Sequence, residues 1–117
     1  MTSKELVSPI IKFIDLGSVA DGATEEGSWT ADEDYIIRHI LIKADGEAPV
    51  KSTITMRIDD YVITKDKALC NSFGTNAENA LLLNITFRKS ATFHYSLLNQ
   101  EGSAKNFTIE LVLEKPS

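Results

Sequence analysis

At 117 residues the chain is the size of one domain, and with 43% apolar and 25% charged residues it has the make-up of a globule rather than of a disordered segment. No run approaches the roughly 20 apolar residues of a membrane helix, so no membrane partner is expected. The formal net charge is −5, from 17 acidic and 12 basic side chains, which argues against nucleic acid, whose phosphates need a basic face.

Cys70 is the lone cysteine, so no intramolecular disulfide can form and the core must hold by packing. With one Cys and two His, a zinc site would need carboxylates to complete it, and no metal or other cofactor is expected. The first ten residues, MTSKELVSPI, lack a basic stretch leading into an apolar one, so no secretory signal is expected. The acidity is local. Residues 21–34 hold Asp21, Glu25, Glu26, Asp32, Glu33 and Asp34 with no base, leaving 11 acids against 12 bases elsewhere.

In chain order, residues 7–16 read as a first strand, with Ile11 and Phe13 alternating against Ile10, Lys12, Ile14 and Leu16, and Pro9 suited to its start. The acidic segment follows, with a short strand at Ser28, Trp29 and Thr30. Residues 35–60 read as two long strands joined by a turn at 45–49. In the second, Val50, Ser52, Ile54, Met56 and Ile58 share one face. Residues 60–64 read as a short strand and 65–79 as a long loop. Three alternating segments follow at 80–89, 91–98 and 105–114. Together, Ile54, Met56, Leu83, Ile85, Phe93, Tyr95, Ile109 and Leu111 are expected to share one core. Seven or eight strands, with no helical period and no repeat, predict an all-β, two-sheet antiparallel sandwich of jelly-roll type.

Chemistry is hard to find in this pattern. His39 and His94 lie mid-strand, and no GxSxG, HExxH, glycine-rich phosphate loop or dinucleotide fingerprint occurs. No catalytic residues and no enzyme are expected. Asp32, Glu33 and Asp34, with Asp59 and Asp60, are oxygen donors of the kind calcium takes, but they lack the spacing of an EF-hand loop and read as a solvated turn. Trp29, Tyr35 and Tyr61 could form an aromatic platform for a sugar ring. The sequons at Asn84 and Asn106 fall within expected strands and read as coincidence.

The run 27–40, an aromatic-Thr strand leading through an Asp-rich turn into an apolar strand, and the polar strand ending Met56, Arg57, Ile58, Asp59, Asp60 resemble small jelly-roll structural proteins and fibre-head domains of bacterial and archaeal viruses. The likeness covers residues 27–60. It implies a virion role as capsid, decoration or spike-head subunit, assembled as a symmetric homo-oligomer with itself and with other virion proteins, and located in the virion or in the cytoplasm during assembly. The residues add a related hint. Ile36, Ile40 and Ile42 alternate with Ile37 and Leu41, and Leu81 and Leu83 with Leu82, so these strands look apolar on both faces. An outer sheet face is normally wet, so such strands need cover. A neighbouring copy would supply it through Ile36, Ile40, Ile42 and Leu82; the 65–79 loop or the acidic segment folding back is the other source. The function expected is non-enzymatic assembly, and the alternative is a carbohydrate-binding module, with or without calcium support.

Overall fold

The alternating segments pair as nine strands in a computed structural model that describes residues 10–76 and 80–116. They are β1 (Ile10–Val19), β2 (Thr24–Thr30), β3 (Tyr35–Ala44), β4 (Thr53–Ile58), β5 (Tyr61–Val62), β6 (Ala68–Leu69), β7 (Ile85–Phe87), β8 (Thr92–Leu98) and β9 (Lys105–Glu114). A 3-10 turn at Cys70–Ser72 follows β6. Among the described residues, no helix is long and apolar enough to cross a membrane.

One sheet runs β1-β9-β3-β7, here called sheet A. The other, sheet B, runs β2-β8-β4-β5, with β6 on β4. The pairings are antiparallel. The order is that of a long hairpin rolled up: β1 lies with β9, β2 with β8, β3 with β7 and β4 with β5. Rolling then brings β9 against β3 and β8 against β4. This is the jelly-roll order of an all-β sandwich, as the turn-punctuated alternation predicts. Two of the nine strands, β5 and β6, are only two residues long.

Between the sheets lie the fully buried Ile37, Ile40 and Ile42 of β3, Ile54 and Met56 of β4, Phe87, Phe93, Leu97, Phe107, Ile109, Leu111 and Leu113. Of the eight expected core residues, Leu83 and Tyr95 are half-buried against this cluster and the other six are buried within it.

Four details depart from the sequence reading. First, β3 and β4 do not pair with each other; they belong to opposite sheets. Both carry an apolar face that needs the same core, and stacking across the sandwich satisfies both. The expected turn survives only as an Ala44–Glu47 bridge, with Asp45 and Gly46 at φ of 51° and 80°.

Second, a bulge at Arg38 breaks the register between β3 and β9, from Ile37 opposite Leu113 to His39 opposite Val112. One extra residue reverses which face the later side chains use. Ile40 and Ile42 therefore join Ile37 in the core, while Ile36 and Leu41 share the outer face. The strand looks doubly apolar because its phase changes midway.

Third, the short strand expected at Ser28–Thr30 begins four residues earlier, so Glu25 and Glu26 are strand residues paired with β8. Fourth, residues 65–76 pack closely on the domain. Cys70 and Phe73 are buried, and the Ile42 amide donates to the Gly74 carbonyl at 3.1 Å. The strand expected over 80–89 is only the three-residue β7; the residues before it, where the Leu83 amide donates to the Arg38 carbonyl at 2.7 Å, run along β3 without being strand.

Gly74 lets residues 74 and 80 of this connection approach closely. Its φ is +95°, and a Cβ there would lie 2.6 Å from the Ala80 Cα. Gly74→Ala is expected to cost about 1–3 kcal/mol, the range for a residue forced into a disfavoured backbone region. Urea unfolding would measure it, and a loss under about 0.5 kcal/mol, typical of surface changes, would show that the segment moves away freely.

Candidate functional site

The outer face of sheet A is built by register. Ile11 on β1 stands opposite Val112 on β9, and Phe13 opposite Glu110. On the other side of β9, His39 stands opposite Val112 and Leu41 opposite Glu110. Val112 and Leu41 are buried although they face outward, whereas Ile11 and Phe13 are each 54% exposed. Lys43 pairs with Glu110 at 3.5 Å and Arg38 with Glu114 at 3.1 Å on this side. Ile11, Phe13 and Val112 form an apolar patch at the β1 edge of this face, with Glu110 opposite Phe13 and His39 opposite Val112. Leu81 and Leu82, 51% and 72% exposed, lie in the segment along β3, where the Leu81 carbonyl is 3.1 Å from His39 Nδ1.

Of the four residues expected at an oligomer interface, Leu82 is open to solvent and Ile36 is half-buried on the outer face. Ile40 and Ile42 are fully buried within the domain, so neither is available to a partner in this fold. The large apolar residues exposed on the outer face at β1 are instead Ile11 and Phe13. The signal was present in the sequence, since positions 10–14 are apolar on both faces and no bulge interrupts them.

The expected aromatic platform is divided. Trp29 packs on Tyr35 with ring centroids 6.0 Å apart and edge-on against Phe87 at 5.6 Å, so these rings close the core rather than lie flat toward solvent. The Tyr35 hydroxyl donates to Asp32 at 2.7 Å. That bond, with burial, pushes the Tyr35 pKa up to about 12, and the same bond lowers that of Asp32. Tyr61 is 61% exposed and stands apart, at a cleft of about 430 Å³ between the edges of the two sheets. Ile58, Ile85 and Ala91 line it together with Asn84, Thr86 and Arg88. A second depression of about 390 Å³ crosses sheet B, where Glu26, Ser28, Thr55, Arg57, His94 and Ser96 line its floor.

Asp34, Asp59 and Glu33 are each engaged within the domain. Asp34 receives the Lys89 amide at 2.8 Å and Asp59 the Thr92 amide at 3.2 Å, while Glu33 pairs with Lys115 at 2.8 Å. Among the described residues, no three His, Cys, Asp or Glu side chains gather as a ligand set. Burial, reinforced by the charge of Glu101, pushes the Cys70 thiol up to about 12, so it is not a thiolate at neutral pH.

At one end of the sandwich the loops are tied by a polar clasp. The Glu101 carboxylate accepts from the amides of Val50, Lys51 and Ser52 at 2.9, 2.8 and 2.8 Å, and from the Ser52 hydroxyl at 2.7 Å. Burial raises its pKa, but these four donors outweigh that and hold it at about 2. The fully buried Asn99 donates to the carbonyls of Val19 and Ser103 and accepts the Glu101 amide. Sequence patterning gives no sign of this clasp, because the 50–52 and 99–103 segments are far apart in the chain and the side chains that tie them, Ser52, Asn99 and Glu101, are polar.

Comparison with protein-family models, with curated proteins and with solved structures gives no match.

Proposed function

We propose that this chain is a non-enzymatic structural subunit that assembles into a symmetric homo-oligomer, of the kind that serves as a capsid, decoration or spike-head protein of a virion. The observation that carries the reading is the exposed apolar stripe of Ile11 and Phe13 on the outer face of a jelly roll, with Leu81 and Leu82 exposed beyond β3. Outer sheet faces of a monomer are wet, and a contiguous apolar patch marks a contact surface. Asp34, Asp59 and Glu101 accept backbone amides and the Cys70 thiol is buried, so these four groups are engaged in the fold, which supports the same reading.

Leu82→Glu is expected to move the population toward monomer with the β-sheet circular dichroism unchanged. Sedimentation equilibrium of both proteins tests this. An unmodified protein that stays monomeric at high concentration would remove the reading.

The cleft at Tyr61 supports a second reading, a carbohydrate-binding module. An exposed phenol ring beside an apolar floor, with Asn84, Thr86 and Arg88 as hydrogen-bonding groups, suits one sugar face and its hydroxyls. On this reading Tyr61→Ala lowers affinity for a bound glycan at least tenfold in calorimetry. A glycan screen with no binder would set the reading aside.

A further inference from the structure

A sheet edge is a row of unpaired N–H and C=O groups, and folded chains blunt such edges with charge, shortness or bulges. Among the described residues, β1 and β2 edge one flank of this sandwich, and β7, β5 and β6 edge the other. Strands β5 and β7 are two and three residues long. Strand β2 carries Glu25 and Glu26. Strand β1 is ten residues long, and its bulge lies between Asp15 and Gly17. That leaves Ile10–Ile14, with the sequence IIKFI, as a regular apolar edge. Its one charge, Lys12, is drawn back across the mouth of the sandwich, with Nζ 5.2 Å from the centre of the Trp29 ring.

We infer that the 10–14 edge pairs antiparallel with the same edge of a second copy about a twofold axis. Sheet A then continues from one protomer into the next as a single eight-stranded sheet. This deepens the assembly reading and rests on it.

Three observations favour a second copy as the occupant. An antiparallel pair about a twofold axis is self-complementary, and residues of the same parity meet. Ile11 and Phe13 of one copy therefore share the outer face with Ile11 and Phe13 of the other, while Ile10 and Ile14 share the inner face. The second observation is charge. Two copies of net charge −5 repel, and positions 10–14 hold no acid, whereas pairing β2 with itself would bring Glu25 and Glu26 of both copies together. The third is continuity. Val112 on β9 stands beside Ile11 and extends the apolar outer face one strand inward, so the joined sheets carry apolar residues on β9, β1 and both their copies across the axis. Five residues per strand span only about 17 Å, and such a contact falls short of the roughly 1,000 Å² of a stable interface. It is a weak joint that reversibly links copies and is consolidated by further contacts in an assembly.

Cysteine cross-linking tests the pairing, and the buried Cys70 leaves no competing exposed thiol among the described residues. Cross-strand Cβ atoms stand about 4.5–5.5 Å apart, close to the 3.5–4.5 Å of a disulfide, whereas face-to-face sheets lie about 10 Å apart. Ile11→Cys, Phe13→Cys and the double variant report on axes at residue 11, 13 and 12 in turn. Under mild oxidation at high concentration, at least one should give a covalent dimer. Ser18→Cys, exposed on the same strand past the bulge, should stay monomeric. If sedimentation shows oligomers but none of the three variants cross-links, or Ser18→Cys cross-links equally, the edge pairing is wrong and the assembly reading stands. If the unmodified protein is monomeric and nothing cross-links, both fall.

Discussion

Replacing Phe93 by alanine is expected to lower the unfolding free energy by about 3–5 kcal/mol, the range for truncating a buried aromatic ring. Its ring is fully buried and packs 6.2 Å from that of Tyr95. On β8 it sits between Trp29 on β2 and Ile58 on β4, so the cavity would open at the centre of sheet B, where both neighbours are held by strand pairing. Domains of this size are stable by only about 5–15 kcal/mol in total. Chemical denaturation should therefore show a large fall in midpoint. Phe13→Ala is the matched control. Its ring is 54% exposed, and the change should stay within about 0.5 kcal/mol. Equal costs at the two positions would mean that the inward and outward faces are misassigned.

Removing the Glu101 carboxylate should have the next largest effect. Glu101→Ala strips four hydrogen bonds from a charged acceptor and is expected to cost about 2–3 kcal/mol, since bonds to charged groups contribute more than neutral ones and solvent can replace part of them here. The pH dependence follows from the direction of the shift. The folded carboxyl is held at about 2 against an ordinary 4.5, so its contribution is fully present above about pH 4.5 and is lost as the pH falls toward 2. The gap in stability between the unmodified protein and Glu101→Gln should therefore be constant near neutrality and close on acidification. A gap that persists unchanged at pH 2 would show that the charge is not what the clasp uses.

Strand periodicity made much of this fold legible. Ile54, Met56, Phe93, Ile109 and Leu111 lie on uninterrupted alternating segments, and each points where a period of two requires. Strand β3 misled because periodicity assumes constant phase, and the bulge at Arg38 leaves no mark in residue type. The β3–β4 connection misled for another reason. A turn between two alternating segments signals a hairpin only when both strands belong to one sheet, and sheet membership is a long-range property. Residues 65–76 looked like a loop because Cys70 and Phe73 enter the core from a 3-10 turn and a bend with no strand period. At the candidate surface, the apolar residues at 10–14 were readable in the sequence, but their exposure was not. It depends on β1 ending the sheet, which only the strand order reveals.

The strand order also bears on how the chain reaches its fold. In sheet A the first strand has one described neighbour, β9, and Ile10 meets Leu113 across nearly the whole length of the chain. Loops that long are closed late, and all-β chains dominated by distant pairings fold in milliseconds to seconds rather than microseconds. Until β9 docks, β1 and β3 both lack the strand between them, and IIKFI is open along both edges instead of one. The same five residues that suit a controlled joint in the finished molecule are then a hazard, because short apolar segments with unpaired edges associate without regard to register. Refolding yield should therefore fall as protein concentration rises, and variants that slow β9 docking should lower it most.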